Sequence, residues 1–251
     1  MMTPPATAGA LPIVQYWHDG EIPSEIAELT ATFRALNPDM PYAIFDESEA
    51  TNFVELHFGP REAATFRACA VPSMQGDYFS YCAAVALGGV YCDVGFRCLR
   101  PVGGLLGSID EGVLFRMESG VVIHGFFAFK LPRHPLPRLA LDIATANIER
   151  RVAERVNMVT GPWIFNGLLQ IREAETLDLA PPDSKVDAEA LAASFRETIG
   201  DYGRVEEAFE GIKIAPLRET EWIAKPDRPL AYKESDLDWV NWCGRGETIF
   251  R

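Results

Sequence analysis

Positive charge is scarce in this chain: 23 lysines and arginines stand against 36 aspartates and glutamates, leaving a net charge of -13. Sequence-independent nucleic-acid binding needs a basic surface to neutralise phosphates, so that class is set aside. The five cysteines (Cys69, Cys82, Cys92, Cys98 and Cys243) are an odd number without CxxC spacing, which argues against a disulfide framework. Cys82, Cys92 and Cys98 sit in apolar company, where a thiol acts as a small core residue. No apolar run reaches about 18 residues, the length a membrane-spanning helix needs. The start, MMTPPATAGALPIVQYW, lacks a basic stretch followed by an apolar one, so no secretory signal is read there. No strand pattern runs into GxGxxG at a helix start, which weighs against a Rossmann-type oxidoreductase. A soluble, cytoplasmic protein is the expectation.

What is present is apolar material in quantity: 48% of 251 residues, enough for a sizeable core. Residues 12–251 are expected to form one domain behind a flexible Pro/Ala-rich lead-in, residues 1–11. LPIVQYW reads as a buried strand, PSEIAELTATFRAL as a helix, and NPDMPYAIFDE as a turn and a second strand ending near Asp46. Strand, helix, strand implies a right-handed crossover and a parallel pair. Residues 77–87 are apolar nearly all round, as a buried helix would be, and Gly88-Gly89 stops them before the strand VYCDV. VLFRM and HGFFAFK suggest a hairpin across ESG. Three helical patterns follow, in PLPRLALDIATANIERRVAERV, after TGP, and in DAEALAASFRETIG. The expected class is α/β, a mixed central sheet flanked by helices, with an irregular aromatic segment from about Ala215.

Chemistry is expected at the end of VYCDV. In open α/β sheets ligands sit beyond the carboxyl ends of the strands, which places the Asp93 carboxylate in the binding crevice. If the strand continues extended, Asp93, Gly95 and Arg97 share a face, and the Arg97 guanidinium would offer phosphate a bidentate partner. The Gly88-Gly89 turn would let the backbone pass close to a ligand.

The succession IVQYW, NPDMPYAIFD and GDYFSYCAAVALGGVYCDVG resembles the family 32 glycosyltransferases. This DxD-containing sugar-binding group includes the yeast initiating mannosyltransferases and, more distantly, the large clostridial glucosylating toxins. Asp77, Gly88, Gly89, Tyr91 and Asp93 fall on the family register without a gap. HGFFAFKLPRHP, TGP (Thr160 to Pro162) and NW (Asn241, Trp242) match later family features, so the resemblance spans roughly residues 12–242.

The resemblance implies a GT-A type fold and transfer of a sugar from a UDP- or GDP-sugar, with retention of anomeric configuration. The acceptor would be a polysaccharide or glycolipid precursor, or a small molecule. It implies catalytic roles for Asp77, Asp93 and His124. It implies donor binding by Trp17 (stacking on the base), Asp77, Gly88, Gly89, Tyr91, Asp93, Asn241 and Trp242. It also implies a divalent ion, Mn2+ or Mg2+, for which Asp93 and Asn241 are the available ligands. Three positions depart from the family: Gly95 replaces the second Asp of the DxD, Ser80 an Arg, and His124 an Asn. Those departures keep open an alternative, a non-catalytic relative that binds a nucleotide or glycan or supports an assembly.

Overall fold

The computed structural model describes residues 10–174, 188–201, 203–217, 221–225, 229–235 and 238–251. The lead-in expected over residues 1–11 lies outside them but for its last two residues, as does Asp187, the expected start of the last helical pattern.

The chain begins with β1 (Ile13–Tyr16), α1 (Ser24–Leu36), β2 (Tyr42–Phe45), α2 (Glu47–Phe58) and α3 (Pro60–Ala68). Next come α4 (Pro72–Leu87), β3 (Gly89–Cys92), β4 (Arg97–Cys98) and α5 (Gly103–Gly107). The hairpin β5 (Gly112–Arg116) and β6 (Val122–Phe129) leads to α6 (Pro135–Arg150), α7 (Val156–Val159), α8 (Trp163–Ala174), α9 (Ala188–Ile199) and α10 (Gly203–Ala208). Finally, β7 (Ile212–Pro216), β8 (Ile223–Ala224), a 3-10 turn at Ala231–Glu234 and α11 (Trp239–Gly244) close the fold.

Six strands form a mixed sheet in the order β2-β1-β3-β6-β5-β7. β1 runs parallel to both β2 and β3, β6 runs antiparallel to β3 and β5, and β7 is parallel to β5. This is the expected α/β class. Period-two alternation divides the strand residues between two cores. Val90 and Cys92 face one, with Phe33, Phe115 and Phe126; Tyr91 faces the other, with Tyr78, Phe127 and Phe165. No helix among the described residues is long and apolar enough to cross a membrane.

Helix α4 is buried on nearly every side, as its composition requires, but begins five residues before Asp77. Pro72 occupies its first turn, where the missing N–H and fixed φ are tolerated. Asp77 is therefore inside the helix and caps nothing. At its other end Gly88 and Gly89 take φ of +65° and +83°. A Cβ on Gly89 would collide with the Pro12 carbonyl oxygen, which accepts from Val90 N at 2.8 Å. The pair thus seats the start of β3 beside the chain entering β1. It lies at the opposite end of β3 from Asp93, outside the cleft described below, so the expected close pass to a ligand is corrected.

Candidate functional site

β1 and β3 are parallel neighbours, and the chain leaves both at the same edge of the sheet. There Trp17 follows β1 and Asp93 follows β3, and a cleft of about 400 Å³ opens between them. That is within the range of roughly 300–1,000 Å³ for small-molecule sites. Trp17, Gly76, Asp77, Tyr91, Asp93, Tyr232, Lys233 and Trp239 are among its lining residues. A second chamber of about 260 Å³ adjoins it, bounded by Met117, Val121, Ile123, His124, Asn157 and Pro162. Ser73, Asp77, Asp93, Lys233 and Trp239 line both. The two carboxylates and the ammonium therefore stand where the chambers meet.

Asp93 is held by its main chain. Its N–H donates to Gly125 O at 2.8 Å, and its carbonyl accepts from Phe96 N at 3.3 Å and from Gln15 Nε2 at 3.4 Å. The Phe96 bond closes a turn, so the strand does not stay extended, and the expected common face of Asp93 and Arg97 is corrected. Arg97 is exposed on β4, pairs with Ala224 of β8, and lines neither chamber. Asp93 is exposed to the cleft, although protein atoms crowd its carboxyl closely enough to withhold part of its water. That desolvation, then the neighbouring Asp77 charge, raises its carboxyl above the usual aspartate range, against the lowering influence of His124 and Lys233.

The carboxylate lies against Gly125 on β6, where a Cβ would collide with Asp93 Oδ2 and come within 2.9 Å of its Cγ. Sequence reading missed Gly125, because its partner lies 32 positions away on the neighbouring strand. We expect Gly125→Ala to displace the carboxylate at an overpacking cost of about 1–3 kcal/mol. A thermal-melt double-mutant cycle checks this: adding Asp93→Ala should recover most of the loss, and additive losses would contradict the contact.

Asp77 is bound on both oxygens. Thr160 Oγ1 donates to Oδ2 at 3.1 Å, which gives the TGP turn its place, and His124 Nδ1 lies 2.9 Å from Oδ1. The latter approach has ion-pair distance without hydrogen-bond alignment. Ser80 Oγ donates to Asp77 O at 2.6 Å, leaving its oxygen to accept from His124 Nε2 at 3.1 Å. Two of the three departures from the family pattern, Ser80 and His124, thus touch each other. With Asp77 they form one unit, braced by Tyr81, Tyr91, Phe127 and Phe165 around the imidazole. Nothing in the sequence announced this, since 44 residues separate the two.

Trp17 is buried, donates Nε1–H to Glu21 O at 3.1 Å, and meets Tyr232 edge-on with centroids 5.4 Å apart. Tyr91 stacks on Phe127, and burial pushes its phenol well above the ordinary value. Asn241 and Trp242 do not reach either chamber. The Asn241 amide donates to Ser235 O at 2.9 Å and Lys233 O at 3.3 Å, and Trp242 Nε1 donates to Thr248 O at 3.1 Å. Both brace the C-terminal segment from behind, and Trp239, one helical turn earlier, is the tryptophan at the cleft.

The implied Mn2+ or Mg2+ would need several oxygen ligands around one point. Among the described residues no three His, Cys, Asp or Glu side chains gather to hold a metal. Gly95 contributes no oxygen, and the place its side chain would take is faced by the Tyr232 hydroxyl, 3.1 Å from an ideal Cβ. Asn241 lines neither chamber, its amide nitrogen donating to Ser235 O and Lys233 O, and an ammonium, Lys233, lines the cleft with Asp93. This donor set does not fit a divalent ion.

No family model and no curated protein matches the sequence. Among solved structures the chain is similar to the PaToxG glycosyltransferase, at 16% identity over 80% of this chain and 83% of that one, with a TM-score of 0.49.

Proposed function

We propose that the chain is a GT-A type glycosyltransferase that takes a UDP- or GDP-sugar in the larger chamber and its acceptor in the smaller. The observation that carries this is convergence. Trp17, Asp77, Tyr91 and Asp93, separated by up to 76 positions, meet in one cleft beyond the carboxyl ends of parallel strands. Asp77, Tyr91 and Asp93 are three of the five residues on the family register, and Trp17 is one that the resemblance assigns to donor binding; Gly88, Gly89, Asn241 and Trp242 do not line the cleft. In this assignment Trp17 carries the base, Asp93 the ribose or sugar hydroxyls, and Asp77 the donor sugar.

The bond between the anomeric carbon and the β-phosphate oxygen breaks, and its electron pair leaves with the diphosphate. The acceptor hydroxyl oxygen bonds to the anomeric carbon from the same face, which gives retention, and its proton passes to the departing phosphate oxygen. The protein positions the partners and stabilises the developing charge.

One observation favours a second reading, a non-catalytic nucleotide- or glycan-binding relative: both Asp77 oxygens already have protein partners. Thermal melts with UDP, GDP and their sugars test the binding common to both readings. A matching nucleotide near 100 Kd should raise the midpoint by roughly 5–10 °C. No shift with any nucleotide overturns the donor assignment. Donor hydrolysis by the stabilised protein then separates enzyme from binder.

A further inference from the structure

Gly95 leaves the diphosphate without the metal grip of the family pattern, yet the leaving group gains charge as the glycosidic bond breaks. A donor site of this kind needs a cation. Lys233 reaches the cleft from the 3-10 turn Ala231–Glu234, far along the chain from β3, and lines both chambers with Asp93. Its Nζ is held 3.1 Å from Oδ2 of Asp238, a carboxylate only 6% exposed that also caps α11. The ammonium lies over the Tyr232 ring, 4.9 Å from its centroid, and the Tyr232 hydroxyl faces the space beside Gly95.

We infer that Lys233, positioned by Asp238 and Tyr232, binds the donor's diphosphate and supplies the positive charge that a divalent ion would otherwise bring. The inference rests on the donor assignment above and extends it. A side chain at Gly95 would press on the Tyr232 hydroxyl, 3.1 Å from an ideal Cβ, which would have to give by a few tenths of an ångström. Burial works against the charge on Lys233, but Tyr232, Asp238 and Asp93 outweigh it and hold the ammonium above the ordinary lysine value. An ammonium has three donors; Asp238 engages one, and the Tyr232 side chain lies against the same ammonium.

The test is calorimetric titration of the full chain with UDP, GDP, uridine and guanosine, in EDTA and in Mn2+. The matching diphosphate should bind in EDTA within about twofold of its affinity in Mn2+, and Lys233→Ala should weaken it about 10- to 100-fold while leaving the nucleoside within about twofold. Lys233→Arg should keep most of the affinity. Because Lys233→Ala strands a buried carboxylate, the double variant Lys233→Ala/Asp238→Asn guards against misfolding and should show the same selective loss. A diphosphate that binds wild type only with Mn2+, or that binds Lys233→Ala as tightly as wild type, overturns the inference and leaves the donor assignment standing. Wild type that binds neither nucleosides nor diphosphates overturns both.

Discussion

Asp93→Asn should lower sugar transfer or donor hydrolysis about a hundredfold, the scale of a lost charged hydrogen bond, while making the protein more stable at neutral pH. The second half follows from the cleft's electrostatics. Desolvation and Asp77 raise the Asp93 carboxyl in the folded chain, whereas in the unfolded chain it ionises near its ordinary value, about 3.9. Between those two values the folded state binds more protons than the unfolded one. Stability is therefore lost as pH rises through that window, and the charge remains a burden at pH 7. Asparagine keeps the shape without the charge. The variant should melt higher than wild type at pH 7, and the gap should close below about pH 4, where both forms are neutral. Melts across pH 3–8 beside a turnover assay decide the matter. Unchanged turnover would remove Asp93 from its assigned role, and a gap independent of pH would refute the electrostatic account.

Gly89→Ala should be the most damaging single methyl in the fold. The residue sits at φ +83°, and its added Cβ would strike the Pro12 carbonyl oxygen and lie 2.8 Å from Pro12 Cδ. Backbone strain of about 1–3 kcal/mol combines with overpacking of similar size, and the obstacle is main chain, which cannot swing aside. A loss of about 3 kcal/mol or more is expected, visible in a protein this size as a midpoint lower by roughly 6–12 °C. Urea titration should show the loss with an unchanged m-value. Since Gly89 lies away from the cleft, the folded variant should still bind nucleotide, which a role in ligand approach would not allow.

The strands and the buried helix were legible because their signals are local. Tyr42–Phe45 is bounded by turn residues, and the hairpin of β5 and β6 brackets ESG as expected. The helix expected over residues 135–156 stops at Arg150, where Arg151 takes a left-handed conformation, φ 49°, that continuous polar periodicity does not reveal. α2, α3 and β7 were not anticipated. β7 is short and half-exposed and is a strand by virtue of its pairing with β5.

In the site, Asp93 was legible because parallel strands deliver their ends to one edge, whereas Trp17, Asp77 and Tyr91 came from the family resemblance and line the same cleft. His124 lines the second chamber with Asp77 and Asp93 and approaches Asp77 at 2.9 Å. Arg97 misled because it was placed by period-two spacing and the chain turned after Asp93; Asn241 and Trp242 were carried over from the resemblance, and neither lines a chamber. Gly125, Tyr232, Lys233 and Trp239 come from distant segments, and their roles exist only as contacts.

Those distant contacts bear on how the protein comes into being. Ala231 N donates to Glu25 Oε1 at 2.8 Å across 206 positions, and Trp17 touches Tyr232 across a similar span. Closing so long a loop forfeits chain entropy before any contact returns it, so such pairings form after the local ones. The sheet, with Asp77 and Asp93 already in place, can assemble before residues 231–235 dock. The cleft is thus a late product of folding, and its walls are completed only when the two ends of the described chain find each other.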